Sequence, residues 1–169
     1  MNEVWQDKIP PQDIEAEQAV LGAIFLDSDT LIDAMEIVTP RSFYRRSHQI
    51  IFQSMIQLSN RGEAIDLVTL KAEIEKSNAL EDIGGISYLS ELSQSTPSSA
   101  SVSYYAKIVD DKSLLRQLIQ TANQIVVKSF EQGEEVQAIV DEAERSILEV
   151  SEKRNSTGFQ SIADVLNQS

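Results

Sequence analysis

The sequence predicts an all-α fold: a globular helical head, a long αα-hairpin and a short linker helix. Apolar residues recur at three- and four-residue spacing along most of the chain, with no strand-like alternation over a useful length. The aromatic share is only 6% against a hydrophobic share of 41%, a balance that suits packing of Leu, Ile, Val and Ala between helices better than a β core. Near Ser103 the pattern changes from short helices broken by turns to two long amphipathic ones. The 169 residues suffice for one domain of usual size plus an appendage.

Residues 1–12 read as a tail ending in Pro10-Pro11, which fixes an extended entry. Asp13 can then cap a helix whose inward face carries Ile14, Val20, Leu21, Ile24 and Phe25. Ser28 and Asp29 precede a short helix with Leu31, Ile32, Met35 and Ile37, stopped by Thr39-Pro40. A third helix starts at Ser47, buries Ile51, Phe52, Met55, Ile56 and Leu58, and ends at Asn60 and Gly62. The run 64–68 approaches a fourth helix, capped by Asp66, with Leu70 and Ile74 inward. Gly84-Gly85 breaks the chain before a short helix with Tyr88, Leu89 and Leu92, and the serine-rich stretch 93–103 reads as a loop. These elements make a head over 13–100.

The hairpin spans 103–152. Its first helix runs towards Phe130, and Gln132-Gly133 makes the turn. Its second helix opens with Glu134 and Glu135, acids suited to a positive helix start, and carries Val136, Ile139, Val140, Ala143, Ile147 and Val150 on one face. Helices this long expose more apolar surface than a head of this size covers. The excess packs either on another chain, as in bundle-forming dimers, or back on the head. Residues 152–158, polar and turn-rich, read as a hinge within a linker region spanning 153–169. Phe159, Ile162, Ala163, Val165 and Leu166 then form a short amphipathic helix, too short to stand alone in water, that docks on a neighbour.

The net charge is −13. Neither half of the chain is basic, so tight nucleic-acid binding through the phosphate backbone is not expected. The acidity serves solubility or steers a basic partner. With no cysteine and a single histidine, His48, disulfides and His- or Cys-rich metal sites are excluded. None of the six glycines stands in a Gly-x4-Gly-Lys-Ser/Thr or G-x-G-x-x-G pattern. The chain is therefore not expected to be an enzyme, and no catalytic, cofactor or metal residue is assigned. His48, near a helix start, is expected to pack or hydrogen bond. The acidic pairs Glu15/Glu17, Asp110/Asp111, Glu134/Glu135 and Asp141/Glu142 read as solvated helix faces. Arg41, Arg45 and Arg46, beside Phe43 and Tyr44, form the one basic cluster, suited to structural ion pairs or to a phosphate or acidic partner face. The absence of a secretory h-region and of a membrane-length apolar run makes the cytoplasm the expected location.

The stretch from Pro10 to Asp27, PPQDIEAEQAVLGAIFLD, resembles the opening of the DnaB-type replicative helicase family. Phe43 with His48, Ile51-Phe52 and Met55 resembles the next family segment, and Gly62 to Leu70 the one after. Gly84 to Leu89, Pro97, Tyr105 to Val109 and Leu115 to Ile119 follow in order, and Phe159 to Leu166 is similar to the linker helix. The resemblance implies the N-terminal collar of a ring-shaped hexamer that unwinds DNA. Its ATP- and magnesium-dependent RecA-like motor would begin where this chain stops, so a fragment of a longer protein is expected.

The resemblance also implies partners: hairpins paired into dimers and a hexamer built as a trimer of dimers, the C-terminal domain of primase and, in some bacteria, a helicase loader. Glu15, Tyr88 and Ile119 are the candidates for primase docking; Tyr88 either anchors a partner or packs in the core. Leu115, Leu118, Ala122, Ile125 and Ile139 are the candidates for the dimer seam. Phe159, Ile162 and Leu166 are those for linker-helix docking. A free-standing regulator that mimics the collar and captures primase or the ring is the alternative reading.

Overall fold

The computed structural model describes residues 8–96 and 98–167, and side chains as far as residue 153. Among these residues all regular structure is helical: α1 (Ile14–Leu26), α2 (Thr30–Met35), a 3-10 turn (Pro40–Ser42), α3 (Arg46–Asn60), α4 (Leu67–Glu75), α5 (Gly85–Ser93), α6 (Val102–Glu131) and α7 (Val136–Asn167). The all-α expectation holds.

Local signals set the short helices. The Asp13 carboxylate accepts from the Ala16 amide at 2.9 Å and so caps α1. Asp66 and Thr69 cap α4 reciprocally: the Thr69 amide donates to Asp66 and the Asp66 amide to the Thr69 hydroxyl, both at 2.9 Å. Gly62 (φ 72°) provides the left-handed conformation beyond α3. The turn at Pro40–Ser42 was not anticipated; Ser42 Oγ accepts from the Thr39 amide at 3.0 Å, so the proline that stops α2 also opens a helical turn.

The chain divides into two compact units, residues 12–113 and residues 1–11 with 114–169. In the first, α1 packs on α2, α3 and α5, and α4 lies against α3 and α5. Leu21, Ile24, Phe43, Ile51, Phe52, Met55, Leu70, Ile74, Leu89 and Leu92 are fully buried there, each worth about 1.5–3 kcal/mol over exposure. The approach of α1 to the end of α5 is tight enough that a Cβ on Gly22 would lie 2.6 Å from both Ser95 Oγ and Thr96 Oγ1. The head extends beyond the expected residue 100. Val102, Ala106, Val109 and Ser113, at the start of α6, are buried with its core, so the boundary falls inside a helix where composition does not change.

The second unit departs from expectation at its end. The backbone is helical without interruption from Val136 to Asn167, across the anticipated hinge at 152–158. Glu152, Lys153 and Arg154 favour helix, no proline intervenes, and one Gly, Gly158, costs only about 1 kcal/mol relative to Ala. Phe159, Ile162 and Leu166 lie beyond the described side chains. At the hairpin turn the positive φ belongs to Gln132 (52°) rather than to Gly133.

Candidate interaction surfaces

The head contains a buried polar chain that the sequence reading missed. Glu17 (1% exposed) and His48 (0%) face each other in the core. His48 Nδ1 donates to Glu17 Oε1 at 2.7 Å, and the other carboxylate oxygen accepts from the Tyr44 amide at 2.7 Å. Because the carboxylate can only accept, Nδ1 carries the proton. The Tyr88 hydroxyl can then donate to Nε2 at 2.5 Å while accepting from Gln18 Nε2 at 3.2 Å. Every buried side-chain polar atom among the described residues has a partner. The sequence held a signal. Glu17 stands three and four residues before Val20 and Leu21, and His48 three and four before Ile51 and Phe52, so both lie on apolar stripes. The expected hydrogen-bonding role of His48 is met.

The candidate docking residues fall in different settings. Glu15 is exposed on α1. Tyr88 is partly buried, its ring stacked on His48 (centroids 5.9 Å apart) and its hydroxyl engaged as above, so the core-packing alternative describes much of it. Ile119 is exposed on α6. With Pro10, Pro11 and Val127 it lines a groove of about 800 Å³ between the tail and α6, and Arg116 holds the tail there by donating to the Pro11 carbonyl at 2.7 Å.

In the hairpin, Lys128 pairs with Glu142, and Lys153 Nζ donates to Gln117 Oε1 at 3.4 Å. Both pairs sum to the same residue number, as antiparallel helices in one register require. Hydrogen bonding to Glu142 raises the Lys128 ammonium above its ordinary pKa. Ile125 and Ile139 line one small gap between the helices with Ala143. These two seam candidates therefore already pack within their own chain. Leu115, Leu118 and Ala122 are exposed, as are Ile119 and Val126 on α6 and Val136, Val140 and Ile147 on α7. At about 100° per residue, each exposed stripe lies roughly a quarter to a third of a turn past the intrachain seam in the same sense. In an antiparallel pair that sets both stripes on one side, as a single apolar face.

No group of three or more potential metal ligands occurs among the described residues, and no helix there is long and apolar enough to cross a membrane. The sequence matches the DnaB-like helicase N-terminal domain family over residues 9–111. It is 51% identical over 168 residues to the replicative DNA helicase DnaB of Geobacillus stearothermophilus, covering 99% of this chain and 37% of that one. This chain thus spans little more than a third of that curated relative. The N-terminal domain of DnaB helicase from Mycobacterium tuberculosis superposes with a TM-score of 0.80 at 38% identity, over 83% of this chain and 99% of that domain. A DnaB-like replicative helicase described with its interactions with primase superposes with a TM-score of 0.67 at 25% identity, over 89% of this chain and 35% of that one. This chain belongs to the DnaB-like helicase N-terminal domain family.

Proposed function

We propose that this chain is the assembly and primase-docking collar of a bacterial replicative helicase, working in the cytoplasm at the replication fork. The observation that carries the proposal is the likeness, over 89% of the chain, to a replicative helicase described with its interactions with primase. The apolar hairpin face supports it. Large contiguous apolar surface on a soluble domain marks a protein partner, and a second hairpin turned face to face would complete a four-helix bundle. Three such dimers would build the ring. ATP and magnesium belong to the motor of the full-length protein, and these residues supply neither site. A helicase loader is a further partner of this collar. The candidate primase contacts are Glu15, Tyr88 and Ile119, and Phe159, Ile162 and Leu166 are the linker-helix contacts.

Calorimetric titration with the C-terminal domain of primase from the same organism tests the docking. Saturable binding near one primase per two chains is expected, because a site shared across a dimer is used once. Folded, oligomeric protein that binds no primase refutes the docking role. Light scattering tests the pairing separately. Leu118→Asp with Ile147→Asp should yield monomers with helical content intact, and a variant still dimeric at low micromolar concentration removes this face from the seam.

A further inference from the structure

The head carries a cationic surface that neither its core nor the collar reading uses. Most cations of the head have carboxylate partners: Arg61 with Glu63 and Glu73, Lys71 with Glu75, Lys76 with Glu73, and Lys107 with Asp111. Arg41, Arg45 and Arg46 take part in none of the ion pairs among the described residues, and all three are exposed. The structural ion-pairing reading of this cluster is not met. In a chain of net charge −13, three adjacent arginines without acids are a local inversion of sign.

Their backbone is held in place. The Glu17 carboxylate accepts from the amides of Tyr44 (2.7 Å) and Arg45 (3.4 Å), Gln49 Nε2 donates to the Phe43 carbonyl (2.8 Å), and Thr39 and Ser42 close the preceding turn. A pinned segment loses little conformational freedom on binding. It also borders a groove of about 510 Å³ between α3 and α4, lined by Pro40, Arg46, Ile50, Gln53, Gln57 and Lys76 among others. The one carboxylate in that lining, Glu73, is neutralised by Arg61 and Lys76.

We propose that Arg41–Arg46 and the adjoining groove form a docking site for an acidic peptide segment of a partner protein. Guanidinium groups match carboxylates through paired N–H donors. The Gln53 and Gln57 carboxamides, one turn apart on α3, can bond an extended backbone, and the half-buried Ile50 provides an apolar seat. A nucleic-acid strand fits less well. The chain's overall charge repels a long polyanion, and Tyr44 is the one exposed aromatic of the segment, where sequence-independent strand binding stacks successive bases. The site uses no hairpin residue and stands independently of the primase reading.

Fluorescence anisotropy with a labelled peptide of glutamate and aspartate around one central leucine provides the test. The whole chain should bind it saturably, and Arg41→Ala/Arg45→Ala/Arg46→Ala should weaken binding by about tenfold or more. The arginine side chains are exposed, so circular dichroism should show the variant folded. Absence of saturable binding to the wild type, or equal binding by the folded triple variant, overturns the proposal. Equal or tighter arginine-dependent binding of an oligothymidylate of the same length overturns it in favour of a phosphate backbone.

Discussion

Replacing Glu17 with Ala should be the most costly single polar truncation in the head. The carboxylate is 1% exposed and holds the His48 ring and the Tyr44 amide, each at 2.7 Å, with Arg45 more weakly. Its loss strands His48 Nδ1 in a fully buried site, and an unsatisfied buried donor costs about 1–3 kcal/mol, more where a charged acceptor is removed. The Tyr44 amide adds a second, smaller penalty, since Tyr44 is itself partly exposed. Together these give about 3–5 kcal/mol, a large part of the roughly 5–15 kcal/mol that stabilises a domain. Urea denaturation followed by far-UV circular dichroism measures the loss as a lower midpoint at unchanged slope. A double-mutant cycle with His48→Ala should return a coupling of about 0.5–3 kcal/mol. A loss below about 1 kcal/mol for Glu17→Ala would refute the reasoning, because the network would then be reorganising or taking up water at little cost. The same variant should weaken binding of the acidic peptide, since Glu17 also fixes the amides of Tyr44 and Arg45.

Three further outcomes are expected. Tyr88→Phe removes only the hydroxyl that Gln18 and His48 share; it should cost about 1 kcal/mol in urea denaturation while leaving any primase contact of the ring intact, so calorimetry on the same variant separates the core role from the docking role. Gly22→Ala should lower stability by about 1–3 kcal/mol, read as a drop in melting temperature, because its Cβ would lie 2.6 Å from two side-chain oxygens and 2.9 Å from the Leu92 carbonyl; an unchanged melting temperature would mean that the end of α5 yields freely. Hydrogen bonding to Arg61 lowers the Glu73 carboxyl from an ordinary 4.5 to about 2. The folded state therefore binds this proton less readily than the unfolded chain, and the stabilisation is present above pH 4.5 and lost as pH falls towards 2. Arg61 is 40% exposed, so solvent keeps the effect small. The melting-temperature gap between wild type and Glu73→Gln should close across that range, and a gap independent of pH would remove the ion pair as its cause.

What the sequence disclosed and what it concealed divides along the range of the interaction. The caps at Asp13 and Asp66 were legible because their partners lie three residues away, and helical spacing located most of the core. The Glu17–His48 pair spans 31 residues. Its two halves were visible as polar residues on apolar stripes, but nothing local said that they met. The hinge expected at 152–158 failed for a different reason. Polar composition was taken for breaking power, whereas only proline or a left-handed position interrupts a helix outright, and this stretch contains no proline.

The long helix α6 shows where single-chain reasoning meets its physical boundary. Its apolar residues repeat at one spacing from Val102 to Phe130, yet they have three separate environments. Val102, Ala106 and Val109 are buried in the head, Ile125 packs against α7, and Leu115, Leu118 and Val126 are exposed. Periodicity records that a face is apolar and not what covers it, because the hydrophobic effect is indifferent to which chain removes the water. Ile125 and Ile139 were grouped with Leu118 for that reason, and only the fold separates the seam inside the hairpin from the face left open beside it. The two surfaces should respond differently to the same chemistry. A charge at Ile125 opens the hairpin of each chain, whereas a charge at Leu118 leaves the hairpin closed and parts one chain from the next. Helical content and oligomeric mass, measured on both variants, distinguish the two. Equal effects at both positions would mean that hairpin closure and chain pairing form one cooperative unit.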